Sequence, residues 1–412
     1  MQTIPPPSPG QAVERSAAWG AVFAMALGAF TLVASEFMPV SLLTPLAADL
    51  GVTEGQAGQG IAISGAFALV TSLFIGSLAG RLDRKTLLLA LTLLMMVSGA
   101  VAAFAPNYAL FMLGRALIGV AIGGFWSMSA ATAMRLVPLH EVPRALAIVN
   151  GGNALATVVA APLGAFLGSV IGWRGAFFCV VPVAALALIW KLASLPPMPA
   201  RTGMGAGGIL RLLRRTPVAY GMAAVSLFFM GQFALFTYLR PFLETVTGVG
   251  VTTLSLMLLA VGVAGFVGTA LIGRLLQGRL YRLLVIMPLA MAALALGLIA
   301  CGASVPATCL LLAIWGLVGT SAPVGWWTWL AQTLPHEAEA GGGLMVAVVQ
   351  LAIMLGATLG GLLFDASGYR ATFSLSAGLL LASSALAWLA ARADGCGSPA
   401  AAALTPSGAA RR

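Results

Sequence analysis

Charge is what this chain has least of. Asp, Glu, Lys and Arg make up 8% of its 412 residues, against roughly 25% in an ordinary soluble domain, so it cannot cover a globule with a solvated surface. Histidine occurs twice and cysteine four times. His140 and His336 each stand beside a glutamate in a polar loop with no third ligand near, and Cys179, Cys301, Cys309 and Cys396 follow no metal-ligand spacing. Neither set supports a metal site, and the cysteines read as packing residues. There is no acid pair, no His/Cys constellation and no phosphate-cradling loop between a strand and a helix, since GMGAGG at 203–208 is linker glycine. Enzyme chemistry and a bound cofactor are therefore not expected. The N-terminal MQTIPPPSPG is a short polar tail with no basic region leading to a small-residue cleavage site, so no removable signal is expected.

What is present in excess is apolar sequence, 60% of all residues. Cut at its charged and proline-bearing breaks, the chain yields about twelve apolar segments, each near the roughly 20 residues needed to cross a hydrocarbon core of about 30 Å. They start near Trp19, Gly55, Thr86, Ala109, Ala145, Ala176, Val218, Thr252, Leu283, Ala307, Gly341 and Ala371. Dense Leu, Ala, Val and Ile favour helices over a barrel, whose strands would alternate in segments of roughly ten. An all-α membrane protein follows.

The net charge of +10 suits a nucleic-acid partner only if it is clustered for one. It is instead distributed by loop. With the N-terminus inside, one face receives nearly all of the arginines and lysines, RLLRR at 211–215 among them, and the other only Arg174, Arg240 and Arg370. That asymmetry is the positive-inside pattern, which places both termini in the cytoplasm and leaves no role for nucleic acid.

The longest interruption, PARTGMGAGGILRLLRRTP at 199–217, divides the chain. The expected organisation is a tail at 1–16, a six-helix bundle at 17–195, a central loop at 196–217, a second bundle at 218–391 and a tail at 392–412. A shift of 196 residues lays His140 and Glu141 on His336 and Glu337, Gly164 on Gly360, and GWRGAF at 172–177 on GYRATF at 368–373; a shift of 193 lays GRL at 80–82 on GRL at 273–275. Two parallel bundles related by an axis along the membrane normal would enclose a binding cavity near the midplane.

Three stretches carry a resemblance. GSLAGRLDRK at 76–85 is similar to the cytoplasmic loop motif G-x-x-x-D-R-x-G-R-R of the major facilitator superfamily, with Gly80 where the acid is usual and Asp83 where the second glycine is. LFMLGRALIGVAIGG at 110–124 resembles the fourth-span motif of the twelve-span drug/proton antiporter branch, with Arg115 at its embedded arginine. NGGNALATVVAAPLG at 150–164 loosely resembles that branch's fifth-span motif, with Gly152, Pro162 and Gly164 in place and Ala161 where glycine is usual. The resemblance implies twelve helices in two pseudo-symmetric bundles, with Arg81, Asp83, Arg84 and Lys85 as the gating loop. The shifted acid puts the usual acid-to-helix-end contact in doubt, while the cations could still face helix C-termini.

An arginine inside an apolar helix costs on the order of 2.5 to 3.5 kcal/mol on insertion scales, so Arg115 either meets a polar partner or snorkels to the nearby edge. Glu36, in FTLVASEFMPV at 30–40, is the acid set well within an apolar run. It lies about 25 Å along its helix from Trp19, a depth that also permits a hydrated interfacial carboxylate. SEFMPVSLLTPLAADLGV resembles the branch's first-span signature, in which the acid faces the cavity. Burial would favour the neutral acid and Arg115 the carboxylate, and opposed influences make a switch. Glu36 and Arg115 are thus the expected proton-coupling residues.

Trp126, Phe236, Tyr238 and Trp326 offer aromatic faces, Asn150, Asn153, Gln232 and Gln350 offer amides, and Ser127 a hydroxyl. This set suits a flat heterocycle bearing a sugar, although each aromatic taken alone also fits packing or an interfacial belt. GGFWSMSAATAMRLVP, APLGAFLGSVIGWR, GQFALFTYLRP and PVGWWTWL resemble the purine ribonucleoside exporters of the same branch. The resemblance implies a monomeric carrier that exports inosine or guanosine and their relatives in exchange for protons. A sugar or multidrug exporter of the branch is the alternative; a passive channel is a third reading, against which the embedded acid and arginine argue modestly.

Overall fold

A computed structural model describes residues 17–78, 82–138, 141–199, 211–276, 279–334 and 337–396. The first sixteen residues, Arg81, His140, His336 and GMGAGG at 203–208 lie outside them. Among the described residues the regular elements are helices: α1 Trp19–Leu50, α2 Glu54–Leu78, α3 Arg84–Ala103, α4 Tyr108–Leu136, α5 Val142–Phe178, α6 Val180–Ser194, α7 Thr216–Phe236, α8 Leu239–Thr245, α9 Val251–Leu275, α10 Leu280–Cys301, α11 Val305–Thr333 and α12 Ala338–Cys396, with a 3-10 turn at Leu212–Arg214 before α7.

Two of these helices reverse within themselves. Gly172 in α5 has φ 74° and ψ 165°, and Gly368 in α12 has φ 73° and ψ −174°, backbone that a side chain would strain and glycine adopts freely. Packing proves the reversal. Before Gly172, Gly152 lies against Ala26 and Gly164 against Ser41, so the chain runs parallel to α1. After it, Trp173 donates to Asp49 at 3.1 Å and Lys191 lies against Gly28, so the chain runs back. The same holds for α12 on α7: Gly356 meets Met230 and Gly361 meets Tyr238 before the break, whereas Ser376 donates to Gly231 and Ser383 to Ala224 after it. Ten segments are long and apolar enough to cross a bilayer, and two of them, of 51 and 54 residues, each contain one reversal, which makes twelve crossings among the described residues. The sixth crossing therefore begins at Gly172 and not near Ala176, because the glycine turns the chain without a loop.

The two breaks stand at the 196-residue spacing of the repeat, and their surroundings repeat as well. Arg174 covers the Trp173 ring and Arg370 the Tyr369 ring, while Phe177 and Phe373 stand edge-on to those rings at 6.1 and 5.9 Å. One half comprises α1–α6 and the other α7–α12. Large apolar side chains such as Phe166, Ile189, Leu256, Leu310 and Leu362 stay exposed on the outside of the bundle, as lipid-facing helices require.

The halves meet through small residues. Gly262 of α9 sits on the Val158 backbone of α5, and Gly65 of α2 on the Gln350 carbonyl of α12, so the helices approach with no side chain between them. At the end of the bundle carrying Gly51, polar groups join them too. Asp365 of α12 accepts from Thr53 Oγ1 and, at 2.9 Å, from the Gly55 amide, capping α2 from the opposite half. Tyr238 Oη lies 3.4 Å from the Gly55 carbonyl and 2.9 Å from that of Ala357. Arg240 of α8 donates to the Ser41 carbonyl of α1. These hydrogen bonds between the halves gather at the Gly51 end.

Candidate functional site

Glu36 lies about midway along the 32 residues of α1, so the reading of an interfacial carboxylate is set aside: the helix continues well beyond it. The residue is 5% exposed, and its Oε1 is buried without a hydrogen-bond partner. Two prolines, Pro39 and Pro45, follow it inside the helix. A proline has no N–H, so each leaves bare the carbonyl four residues before it, Ser35 and Ser41 respectively.

Arg115 of α4 takes the first of these. It is 1% exposed and donates through Nη1 to Ser35 O at 2.9 Å, through Nε to Gly60 O at 3.0 Å, and through Nη2 to Glu36 O and Ser64 Oγ, both at 3.3 Å. The snorkelling reading is thus overturned. The guanidinium holds the main chain of α1 and α2, and among the described residues no salt bridge reaches the Glu36 carboxylate. Arginine suits this anchor because its planar fork presents several donors in fixed directions.

The expected substrate residues divide into three groups. Trp126 and Phe236 are half-buried; Trp126 stands edge-on to Phe125, and Phe236 edge-on to Phe37 of α1 across the halves. Asn153 is half-buried, and Gln232 and Gln350 each leave Oε1 buried and unpartnered. Gln350 is on the α12 turn that meets α2, and Gln232 Nε2 lies beside Gly319 of α11. These side chains retain capacity for a ligand.

A second group is already spent within its own helix. Ser127 Oγ donates to Gly124 O at 3.0 Å and the exposed Asn150 donates to Leu146 O at 2.9 Å. The third group is packed away. Tyr238 uses its hydroxyl to join the halves and stacks on Phe364, and Trp326 is buried between Phe228 and Trp329. In this structure Tyr238 therefore bridges the two halves rather than lining open space, and Trp326 is a packing residue.

In the expected gating loop, the acid is engaged locally. Asp83 caps α3 by accepting from Lys85 N at 2.8 Å and Thr86 N at 3.4 Å, and its other oxygen accepts from Met198 N at 2.7 Å. Arg84 donates through Nη1 to the Met128 sulfur at 3.2 Å. For Lys85 the backbone amide is the capped group; Arg81 lies outside the described residues. The displaced acid is thus occupied inside its own half. The two glutamates beside the histidines are engaged by Arg144 and Arg215, and among the described residues no group of three or more His, Cys, Asp and Glu could hold a metal.

Sequence reasoning missed Trp315, Lys191 and Arg240. Trp315 is buried in α11 with Nε1 unpartnered, in a run that reads as apolar packing. Lys191 of α6 is buried against the Phe125 ring, and Nζ donates to Thr92 Oγ1 at 2.9 Å. Arg240 is buried at the Gly51 end, paired with Glu244 at 2.8 Å as well as with Ser41 O. The position of Arg240 before Pro241 reads as a loop cation; Pro45 on another helix is what creates its partner.

Residues 25–345 match the Major Facilitator Superfamily. The chain is 64% identical over 385 residues, 92% of its length and 95% of the relative's, to "Transcription regulatory protein OpdE" of Pseudomonas aeruginosa. It is 42% identical over 363 residues, 88% of its length and 91% of the relative's, to "Purine ribonucleoside efflux pump NepI" of Salmonella typhimurium. Among solved structures, the fold is similar to an inward-facing bacterial homolog of the lysosomal transporter Spinster (TM-score 0.74, 15% identity, covering 93% of this chain and 98% of that one). It is also similar to a D-xylose-proton symporter (TM-score 0.69, 17% identity, covering 90% and 96%). The chain belongs to the major facilitator superfamily, and is a multi-pass membrane transporter and not an enzyme.

Proposed function

From that membership we propose that the chain exports purine ribonucleosides of the inosine and guanosine type from the cytoplasm in exchange for protons, by alternating access. The observation that carries the reading is Glu36, a carboxylate buried at mid-helix with one oxygen unpartnered, in a segment that two prolines release from regular hydrogen bonding. A group so placed binds a proton or a donor from a ligand, and one at a time.

In this reading the Gly51 end faces the periplasm and both termini the cytoplasm of a bacterial inner membrane. The state described here, joined at the Gly51 end, faces inward. Ionised Glu36 accepts a substrate N–H or O–H from the cytosolic side, the bundles rock, and protonation from outside displaces the substrate. The protonated site then recloses, and the membrane potential adds about 2.3 kcal/mol per charge per 100 mV to the inward proton step. Trp126 and Phe236 supply stacking faces, and the unpaired oxygens of Gln232 and Gln350 accept from the donor edge of a base. The name of the 42% identical relative supports the purine class.

A sugar or multidrug exporter of the same superfamily is the alternative. The name of the 64% identical relative gives a further reading, in which the carrier influences transcription through the concentration of the solute it moves. Proton-driven transport of tritiated inosine by the purified carrier in liposomes, competed by nucleosides, arabinose and a cationic dye, tests the proposal. Competition by nucleosides alone is expected. Displacement by the dye or by arabinose and not by guanosine would replace the nucleoside assignment, and deletion of the gene changing transcription with no solute moved by the carrier would favour a regulatory role.

A further inference from the structure

We propose that Arg240 and Glu244 are a release latch: Arg240 holds α1 of the opposite half while the Gly51 end is closed, and turns onto both oxygens of Glu244 when that end opens. The inference rests on the alternating-access reading above, and assigns positioning roles to two residues outside the Glu36 site.

Four observations build it. Arg240 and Glu244 stand one turn apart on α8, the geometry in which side chains meet, and Nε is 2.8 Å from Glu244 Oε1. Arg240 Nη1 leaves its own half to donate to Ser41 O. That carbonyl lacks a helical donor because of Pro45, so nothing in α1 competes for it. Glu244 Oε2, on the same carboxylate that already holds Nε, is buried and has no partner.

Parting of the halves at this end must separate Arg240 from Ser41 O, since one belongs to α8 and the other to α1. A buried guanidinium N–H left unpaired is costly. The vacant Oε2 removes that cost, because one arginine fork fits the two oxygens of a carboxylate. The closed state thus has one bond across the halves and one within α8; the open state has two within α8. Each state satisfies the guanidinium, and the carboxylate is better satisfied in the open one. Ser41 lies beyond Pro39 from Glu36 on the same helix, so the latch grips the segment that carries the carboxylate.

The test is the distance distribution between spin labels on the full chain in nanodiscs, its native cysteines replaced. One pair, at Phe104 and Ser304, reports the Gly51 end; another, at Leu82 and Arg282, reports the Trp19 end. Measurements at pH 5 and pH 8 need no ligand. Wild type is expected to show two separations at each end. Glu244→Gln removes the landing site and should lower the open population at the Gly51 end about tenfold. Arg240→Lys keeps a donor for Ser41 O without the fork and should shift the same way. Arg240→Met removes the hold and should raise the open population. Merely structural roles would move all three variants in one direction, and that result, or a Glu244→Gln distribution equal to wild type, overturns the latch alone. A single unchanging separation at both ends in wild type would overturn alternating access and the latch with it.

Discussion

Arg115 lies 2.9 Å from the main-chain oxygen of Ser35, the carbonyl that Pro39 leaves without a donor. The embedded arginine is therefore a clamp on a broken helix first, and a neighbour of Glu36 second. Arg240 repeats the arrangement from the other half on Ser41 and Pro45. The stretch containing the candidate proton site is gripped at both ends by guanidinium groups.

Arg115→Met should destabilise the protein, because it strips donors from the buried carbonyls of Ser35, Glu36 and Gly60. Bonds from a charged donor contribute about 1.5 to 3 kcal/mol each in water-soluble proteins, and about 0.6 on average within membranes, so a loss of about 2 kcal/mol is expected. Thermal unfolding in detergent measures it. Adding Glu36→Gln should not restore stability; restoration would mean that the carboxylate, and not the main chain, is the partner that matters.

Glu36→Gln should abolish accumulation driven by a pH gradient while substrate counterflow persists, since the amide preserves shape and cannot carry the proton. A loss of more than tenfold in gradient-driven flux is expected in liposomes. Coupling that survives at normal stoichiometry would move the proton to another residue.

Lys191→Met should be neutral or stabilising. Among the described residues the buried amine has Thr92 as its hydrogen-bond partner and no acid paired to it, and burying a charge is expensive where packing alone would serve. Gly28→Ala in the wild-type background should be harmful, because a Cβ there meets Lys191 Cε at 2.9 Å. The same substitution should be milder beside Lys191→Met, whose thioether carries no charge to displace. Melting temperatures of the four proteins decide this; equal Gly28→Ala effects in both backgrounds would refute it.

Asp365→Ala should favour opening at the Gly51 end. The carboxylate caps α2 from the opposite half, and removal of a cap costs about 1 kcal/mol, or about a fivefold change in population. The population of the larger Phe104–Ser304 spin-label separation should rise accordingly. An unchanged distribution would show that the cap stabilises α2 without joining the halves.

Much of this architecture is legible in the sequence because membrane helices announce themselves by length and apolarity, and because the 196-residue repeat places Gly172 on Gly368. The site is legible only in part. Glu36 and Arg115 stand out as charges in apolar runs, but nothing local to Arg115 reveals that its partners are carbonyls, one of them exposed by a proline on a different helix. Gln232 and Gln350 were identifiable as costly amides. Tyr238 and Trp326 were not separable from them, since whether an aromatic faces a ligand or a neighbouring helix depends on distant residues such as Gly55, Ala357 and Phe228. Trp315 and Lys191 are ordinary in sequence and become notable only through what does or does not surround their nitrogens.

The reversals at Gly172 and Gly368 have a practical corollary. A protease needs a few residues of slack to seat a substrate, and an inserted tag needs a connection that can lengthen; a single glycine between two crossings provides neither. Topology mapping by nicking or by epitope insertion will therefore pass silently over these two corners, and a map that counts only the accessible connections will return ten crossings where the described residues make twelve.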